Sequence, residues 1–509
     1  MPRLTPRTVP GRTDRVVVIG AGLGGLAATL RLVGAGRQVT VLERTAAPGG
    51  LAGRLELAGY RFDTGPTVLT MPELIEQALS WVGERLADRL QLMPLSPAYR
   101  ANFADGSTID VHSDPDRMEQ QIAETISARD AAGYRELVGF LRRLYRLELA
   151  NFIDRNLDSP AQLLGSAGVR LLAMGGLRRL APKVGQYLAD ERLRRIFSFQ
   201  AMYAGLAPQD ALAIYAVIAY LDTVAGVCFP RGGMHAVPLA LAAAAAEHGA
   251  EFRYRTEAIR IEVAGGRARA VHTADGERIP ADVVLVNADP PTAYRQLLDP
   301  EWQPHRTRRL RYSPSCVLLH VGSRRGYRQL AHHTIFFGKA WRSTFGEIIG
   351  DGRLMSDPSF LVSHPSGTDP ALAPAGRHGY YVLFPAPNTL APLDWPRIAE
   401  PYRQELHAHL ESRGLTGFAD QIEVELMVTP ADWQAWGLPA GTPFAAAHTA
   451  GQTGPFRFPT LDRSIENLLF CGANCQPGVG VPMVLLSGKL AAERILSPAV
   501  RVSSRWNGP

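Results

Sequence analysis

Residues 16–43 read VVVIGAGLGGLAATLRLVGAGRQVTVLE, and few folds accommodate that order of residues. Val16, Val17, Val18 and Ile19 form an unbroken β-branched run, as in a strand covered on both faces within a parallel sheet. Gly20-x-Gly22-x-x-Gly25 follows at once. In that spacing Gly20 permits the tight turn, Gly22 lets backbone approach a pyrophosphate, and Gly25 lets the next helix pack on the sheet. Leu26, Leu30 and Val33 give the helix an apolar stripe, Gly36 ends it, and residues 38–42 make a second strand. Glu43 stands at the end of that strand, where a carboxylate accepts hydrogen bonds from the hydroxyls of an adenosine ribose and repels a 2′-phosphate. Strand, turn, helix, strand and terminal Glu in register predict a dinucleotide site of the Rossmann type in an α/β fold.

The next residues separate the possible dinucleotides. Pro48-Gly49-Gly50-x-x-Gly53-Arg54 places further glycines and a guanidinium just beyond Glu43 and Arg44, where they would complete a cage around the pyrophosphate. Soluble NAD dehydrogenases do not usually carry this extension. The chain has no second strand-associated GxGxxG, so a paired FAD and NAD(P) architecture is not expected. A single flavin dinucleotide is.

From Gly49 the sequence continues GGLAGRLELAGYRFDTGPTVLTMPEL, and here it closely resembles the bacterial-type phytoene desaturases, FAD enzymes among the amine-oxidase-like flavoproteins. Further similar stretches are CFPRGGMHAVPLALA from Cys228, ADVVLVNAD ending at Asp289, LAHHTIFFG from Leu330, PSGTDPALAPAG from Pro365 and NLLFCGANCQPGVGVPMVLLSGKLAAERI from Asn467. The resemblance spans about residues 14–496. It implies that Gly65, Pro66 and Thr67 join the cofactor site, that the strand around Ala258 lies against the adenine, and that Gly472, Ala473, Gly480, Val481, Pro482 and Met483 lie against the flavin. One departure stands out. Asn474-Cys475-Gln476 occupies the place where the family signature usually has a small residue followed by Thr, and often His.

The C-terminal stretch also makes sense on its own. Residues 468–471 are a short apolar strand, Gly472-Ala473 allows close backbone approach, and Gly478-x-Gly480-Val481-Pro482 opens a last helix whose free N–H groups could stabilise negative charge on a reduced isoalloxazine.

These features predict a Rossmann-type domain split in sequence, with a mixed-sheet substrate domain and a helical cap. Its FAD-binding parts are residues 11–80, 226–298 and 455–499; residues 81–118 and 299–454 form the substrate domain. Residues 119–225 lack the period-two alternation of strands and carry helical spacing, so they form the cap. Strand-like runs fall at 316–321, 334–337 and 380–384.

Of 54 basic residues only Lys183, Lys339 and Lys489 are lysine, and the formal net charge is +6. Arg170, Arg178, Arg179, Lys183, Arg192, Arg194 and Arg195 cluster among apolar residues, as do Arg306, Arg308, Arg309 and Arg311. Such segments rest on an anionic membrane surface or form an ordinary solvated face. The uncharged apolar runs 211–221 and 236–246 are 11 residues each, short of the ~20 that a spanning helix needs. Residues 1–12 are basic with no apolar core behind them, unlike a secretory signal. The expected place is therefore the cytoplasm, peripherally on a membrane. Cys471 and Cys475 could pair as redox or metal groups, but four cysteines without paired CxxC spacing favour neither. The basic residues lack an aromatic platform for nucleic acid.

Dehydrogenating an unactivated carbon pair needs a hydride acceptor and a dry channel, and FAD supplies the first. The resemblance implies phytoene as substrate, lycopene-like products, and oxygen or a quinone to reoxidise the flavin. The alternatives are a desaturase or isomerase of another carotenoid, hydroxylated or C30, and a non-catalytic flavin-fold carotenoid binder. Phe336, Phe337, Phe384 and the aromatic residues of 197–220 are tunnel wall or plain core. No catalytic acid or base is identifiable. Asp63 begins a Gly-Pro turn and suits an Asx-type bond to its own backbone, and the His332-His333 pair lacks a third metal ligand of suitable spacing. No metal is expected, and GxSxG, P-loop and HExxH motifs are missing.

Overall fold

Alternate residues of one parallel sheet feed two hydrophobic cores, and this arrangement organises the molecule. The computed structural model describes residues 6–496; residues 1–5 of the basic N-terminal stretch and 497–499 of the last expected segment lie outside them. The sheet runs Leu468–Phe470, Val283–Val286, Arg15–Ile19, Gln38–Glu43, Glu251–Tyr254, every neighbour parallel. Val16, Val18, Val39, Val41 and Leu285 pack with helices Leu23–Gly34, Ala236–Glu247 and Val481–Ile495 on one face. Val17, Ile19, Leu42, Val284 and Phe470 face the other way. There they meet the antiparallel meander of Ala258–Ala264, Arg267–Thr273 and Arg278–Pro280, and helix Pro290–Leu297. The strands come from three distant stretches, and all pair in register.

A second, seven-stranded sheet runs Ile422–Val428, Ser315–Ser323, His378–Ala386, Phe360–Ser363, His333–Phe337, Tyr99–Phe103, Thr108–Val111. Only the pair His333–Phe337 with Tyr99–Phe103 is parallel. Helix Trp395–Ser412 covers one face with Trp395, Tyr402, Leu406 and Leu410. Phe336 and Phe384 stack on Phe360 at 4.9 and 4.5 Å within this core, so they are plain core. Phe337 instead stacks on Phe103 at 5.1 Å and meets Phe199 edge-on at 5.9 Å, on the side of the cap.

Residues 119–225 contain no strand. Ser127 caps the 21-residue helix Ala128–Glu148 by accepting from Asp130 N. Shorter helices follow at Ser166–Ala173, Leu180–Val184, Glu191–Ile196 and Ala216–Tyr220. The long helix stacks its Tyr145 on Tyr220 at 4.6 Å. Both of these helices widen into π-type turns, Leu149–Ile153 and Leu221–Ala225.

Candidate functional site

The glycine turn is held open by backbone geometry. Gly20 has φ +99°, and a Cβ on Gly25 would come within 2.4 Å of the Gly20 carbonyl oxygen, so only glycine lets the helix start there. Gly22 caps helix Leu23–Gly34 without a side-chain hydrogen bond, and the first turn carries no acid. The N–H groups of Leu23 and Gly24 and the dipole therefore remain available to an anion.

Asn287, which no sequence motif marks, ties the turn to the rest. It stands just past strand Val283–Val286, at the carboxyl edge where doubly wound sheets bind ligands. Its Oδ1 accepts from Gly25 N at 2.9 Å and its Nδ2 donates to the Cys471 carbonyl at 3.2 Å. A Cβ on Gly22 would lie 2.7 Å from that Oδ1, and one on Gly472 3.0 Å from that Nδ2.

The second glycine group packs directly on the first. Gly49 N donates to Ala21 O at 2.9 Å and Gly49 bridges Gly22; Gly49 and Gly50 both have positive φ, +129° and +57°. A Cβ on Gly65 would strike the Leu51 carbonyl at 2.2 Å, so the 64–67 segment lies on this turn too. Tyr381 donates to Gly65 O at 2.8 Å, and a ring nitrogen of His333 lies 3.1 Å from Thr67 O, which fastens the site to the mixed sheet. Arg54 pairs with Glu56 at 2.9 Å on the ribbon Arg54–Leu57 with Tyr60–Asp63.

Asp63 does not close an Asx turn on its own backbone. Its Oδ1 accepts from His235 N at 3.2 Å, and a Cβ on Gly233 would lie 2.9 Å from it. Burial pushes its carboxyl up to about 6, against the bonds from Met234 and His235 that favour the charged form. His235 Nε2 meets Pro48 O at 2.8 Å, so this pair locks the second glycine turn from behind.

At the C-terminus, Gly480 has φ +107° and caps helix Val481–Ile495 with no side-chain bond. Val481 and Pro482 are buried and Met483 is half-buried. Asn474, Cys475 and Gln476 are all buried. Asn474 accepts from Ala446 N at 2.7 Å and donates to Asp289, while Gln476 exchanges hydrogen bonds with Leu157 N and O at 3.1 and 2.8 Å. The departure from the family signature is therefore a set of internal clamps.

Arg457, also unforeseen, is buried and donates to the carbonyls of Cys475, Ala446, Gln452 and Ala473, the last at 2.6 Å. Burial lowers its guanidinium to about 10, so a positive charge persists beneath the loop. His448 accepts from Val479 N at 3.4 Å, and a Cβ on Gly478 would come within 2.3 Å of its ring. Burial drives His448 well down, so the ring is neutral. No sequence signal marked either residue.

At the far end of the turn, Glu43 is buried and accepts from Ala21 N, Thr45 N and Thr45 Oγ1 at 2.9, 2.9 and 2.7 Å. These bonds aim the carboxylate and leave a lone-pair site for a hydroxyl. Beside it opens a cavity of about 650 Å³ lined by Arg44, Thr45, Arg255, Thr256, Glu257, Ala274 and Asp275. Ala258, on the strand that begins at this cavity, is half-buried. Two uncapped helix N-termini, backbone bared by glycine, and a roomy pocket at a ribose-type carboxylate fit a flavin dinucleotide.

His333 is spent internally on the carbonyls of Ala98 and Thr67, while His332 meets Thr368 Oγ1 through Nδ1 at 2.6 Å and its Nε2 is buried without a partner among the described residues. Among the described residues no group of His, Cys, Asp and Glu could hold a metal, and the four cysteines are free.

Residues 23–496 match the family model described as flavin containing amine oxidoreductase. The chain belongs to this family. FAD is its cofactor, and it is an oxidoreductase. Within the family it is 56% identical over 501 residues to "Phytoene dehydrogenase" of Streptomyces griseus, covering 98% of each chain. It is 38% identical over 487 residues to "zeta-carotene-forming phytoene desaturase" of Myxococcus xanthus, covering 95% of this chain and 94% of that one. Among solved structures, putrescine oxidase bound to putrescine superposes with a TM-score of 0.62 at 16% identity, covering 96% of this chain and all of that one. That likeness concerns the fold.

Proposed function

We propose that this chain is a desaturase of phytoene, introducing double bonds one at a time toward lycopene-like carotenoids. The observation that carries the proposal is the 56% identity to the Streptomyces phytoene dehydrogenase across nearly the whole of both chains. When bound, FAD supplies the hydride acceptor. The residues that would hold it are Gly20, Gly22, Gly25, Gly49 and Gly50 with Asn287 at the pyrophosphate; Glu43, Arg44 and Ala258 at the adenosine; and Gly65, Pro66, Thr67, Gly472, Ala473 and Gly480 to Met483 at the ring, with Arg54 nearby. The split cofactor unit (11–80, 226–298, 455–499), the substrate unit (81–118, 299–454) and the cap (119–225) act as the three working parts. Arg457 and the first-turn N–H groups of Val481–Ile495 give the ring end a positive potential that favours negative charge on it. The substrate has no polar handle, so apolar burial at ~25 cal/mol per Å² binds it, and the residues around Phe199 and Phe337 exclude water.

A hydrocarbon of this kind resides in the bilayer. No helix among the described residues is long and apolar enough to cross a membrane, but Leu164, Val169, Leu172 and Leu177 are strongly exposed, the first at 72%. Arg170, Arg178 and Arg179 are exposed beside them. By contrast Lys183 is buried over the Phe140 ring, Arg192 and Arg195 pair with Asp190 and Glu191, and Arg306 lies on the Phe458 ring. We assign peripheral docking on the cytoplasmic leaflet to residues 164–179, with oxygen or a quinone as the final electron acceptor. Incubating the flavin-loaded protein with phytoene in liposomes tests the function. Longer-conjugated polyenes should accumulate; unchanged phytoene would overturn the assignment.

A further inference from the structure

Desaturation removes a proton as well as a hydride, and the cap holds a carboxyl with no other partner for its charge. Asp222 lies in the wide turn Leu221–Ala225, buried at 6% exposure, and no hydrogen bond or ion pair to it exists among the described residues. An unpartnered buried carboxyl is costly and is retained where it serves a function; π-type turns often mark such places. The titratable groups that face it are Tyr99, from strand Tyr99–Phe103, and Tyr203, from the turn Phe199–Ala204; its charge raises both phenols further. Among the described residues no basic side chain acts on it.

The surroundings form a polar island in an apolar cap. Gln200 donates to Ile196 O at 3.0 Å and to Tyr99 Oη at 3.4 Å, while its Oε1 is buried without a donor. Tyr99 and Tyr203 both meet Phe199 edge-on, at 5.7 and 5.8 Å, and Phe199 meets Phe337. Ala204, next to Tyr203, accepts from His448 N at 2.9 Å, which joins this island to the loop under Gly478. Beyond Asp222 the chain enters strand Cys228–Pro230, where Cys228 N donates to Leu69 O at 2.9 Å, two residues from Thr67. The chain on either side of the island is thus bonded to the C-terminal loop, through Ala204, and to the segment that follows Thr67, through Cys228. Glu148, the other unpartnered buried carboxyl of the cap, acts on Tyr215 instead.

We propose that Asp222 is the catalytic base of the desaturation, accepting the proton from the carbon next to the one that gives up hydride. The inference rests on the desaturase function proposed above. One C–H bond breaks with its electron pair leaving as hydride for the oxidised flavin. The adjacent C–H bond breaks with its pair forming the new C=C bond, and its proton passes to the Asp222 carboxylate. The proton then leaves to solvent before the next cycle. Burial raises this carboxyl to about 7, so it accepts and releases a proton near neutral pH, where general bases work best.

The test compares flavin-loaded wild type, D222N and D222E on phytoene liposomes between about pH 5.5 and 8.5. Wild-type kcat should rise with pH through about 7, as the carboxylate form grows. D222N should lose roughly 10²- to 10⁴-fold in kcat with KM little changed, and lose the rising limb; D222E should recover part of the rate. Separately from turnover, the infrared difference between wild-type and D222N holoenzyme should contain a protonated-carboxyl band that fades across the same pH range, the bands of Asp63 and Asp289, raised to about 6 and about 7, being common to both proteins and cancelling. An active wild type whose rate and pH limb survive D222N would overturn Asp222 as the base. An inactive wild type would instead refute the desaturase function, and the infrared titration would still decide whether Asp222 titrates there. Should D222N fail to bind flavin, D222E decides.

Discussion

A Cβ on Gly488 would come within 2.0 Å of the Gly24 carbonyl oxygen, and one on Gly24 would lie 3.1 Å from Val484 O. The first and last described long helices of the cofactor sheet, Leu23–Gly34 and Val481–Ile495, therefore touch backbone to backbone. This contact sets the C-terminal Gly-Pro loop beside the N-terminal glycine turn. Gly488→Ala should cost about 2 kcal/mol or more, because the clash is with backbone that cannot rotate away. Thermal unfolding should show a lower midpoint, and flavin content after purification should fall with it.

Asn287 is the polar link between the same two glycine segments. Asn287→Ala leaves Gly25 N and Cys471 O without their partner, each costing about 1–3 kcal/mol when buried. Asn287→Asp keeps the acceptor for Gly25 N but adds negative charge where a pyrophosphate must lie. Equilibrium titration of apoprotein with FAD should therefore show weaker binding for Asp than for Ala. The opposite order would remove Asn287 from the pyrophosphate site.

Asp63 makes stability depend on pH. Its carboxyl titrates near 6 in the folded protein, raised from 3.8 by burial, so between about pH 4 and 6 the folded chain binds a proton that the unfolded chain has released. Its contribution then falls as pH rises through that window and is constant above it. Asp63→Asn keeps an acceptor for His235 N and should flatten this part of the profile. Urea midpoints of both proteins across the window measure the difference.

Sequence made the cofactor half legible because its physics is local. The β-branched run, the glycine spacing and Glu43 act within 30 residues, and strands Arg15–Ile19 and Gln38–Glu43 form where the pattern places them. The runs at 316–321, 334–337 and 380–384 likewise lie within strands of the mixed sheet. Strands Phe360–Ser363 and Tyr99–Phe103 escaped notice because each is short; Tyr99–Phe103 forms a local hairpin with Thr108–Val111, but both strands take their place in the sheet by pairing with His333–Phe337. Asn287, Arg457, His448 and Asp222 were missed for a related reason. A single Asn, Arg, His or Asp carries no spacing of its own, and it gains meaning only when folding sets it beside a loop from another part of the chain.

Membrane docking at residues 164–179 predicts that Leu164→Glu with Leu172→Glu should weaken vesicle sedimentation several-fold, since each removes buried apolar area and adds charge against an anionic surface. Flavin content should not change, because neither side chain is buried in the fold. Binding to neutral vesicles should be weaker than to anionic ones, and salt should reduce only the latter.

The central claim is that hydride from a hydrocarbon is delivered to the one flavin held between the two glycine segments. Anaerobic mixing of the oxidised holoenzyme with phytoene liposomes, followed by spectra of flavin and polyene together, tests it most directly. One flavin should bleach for each double bond formed, with turnover resuming when oxygen or a quinone is admitted. Double bonds formed while the flavin remains oxidised, or bleaching without any new conjugation, would contradict it.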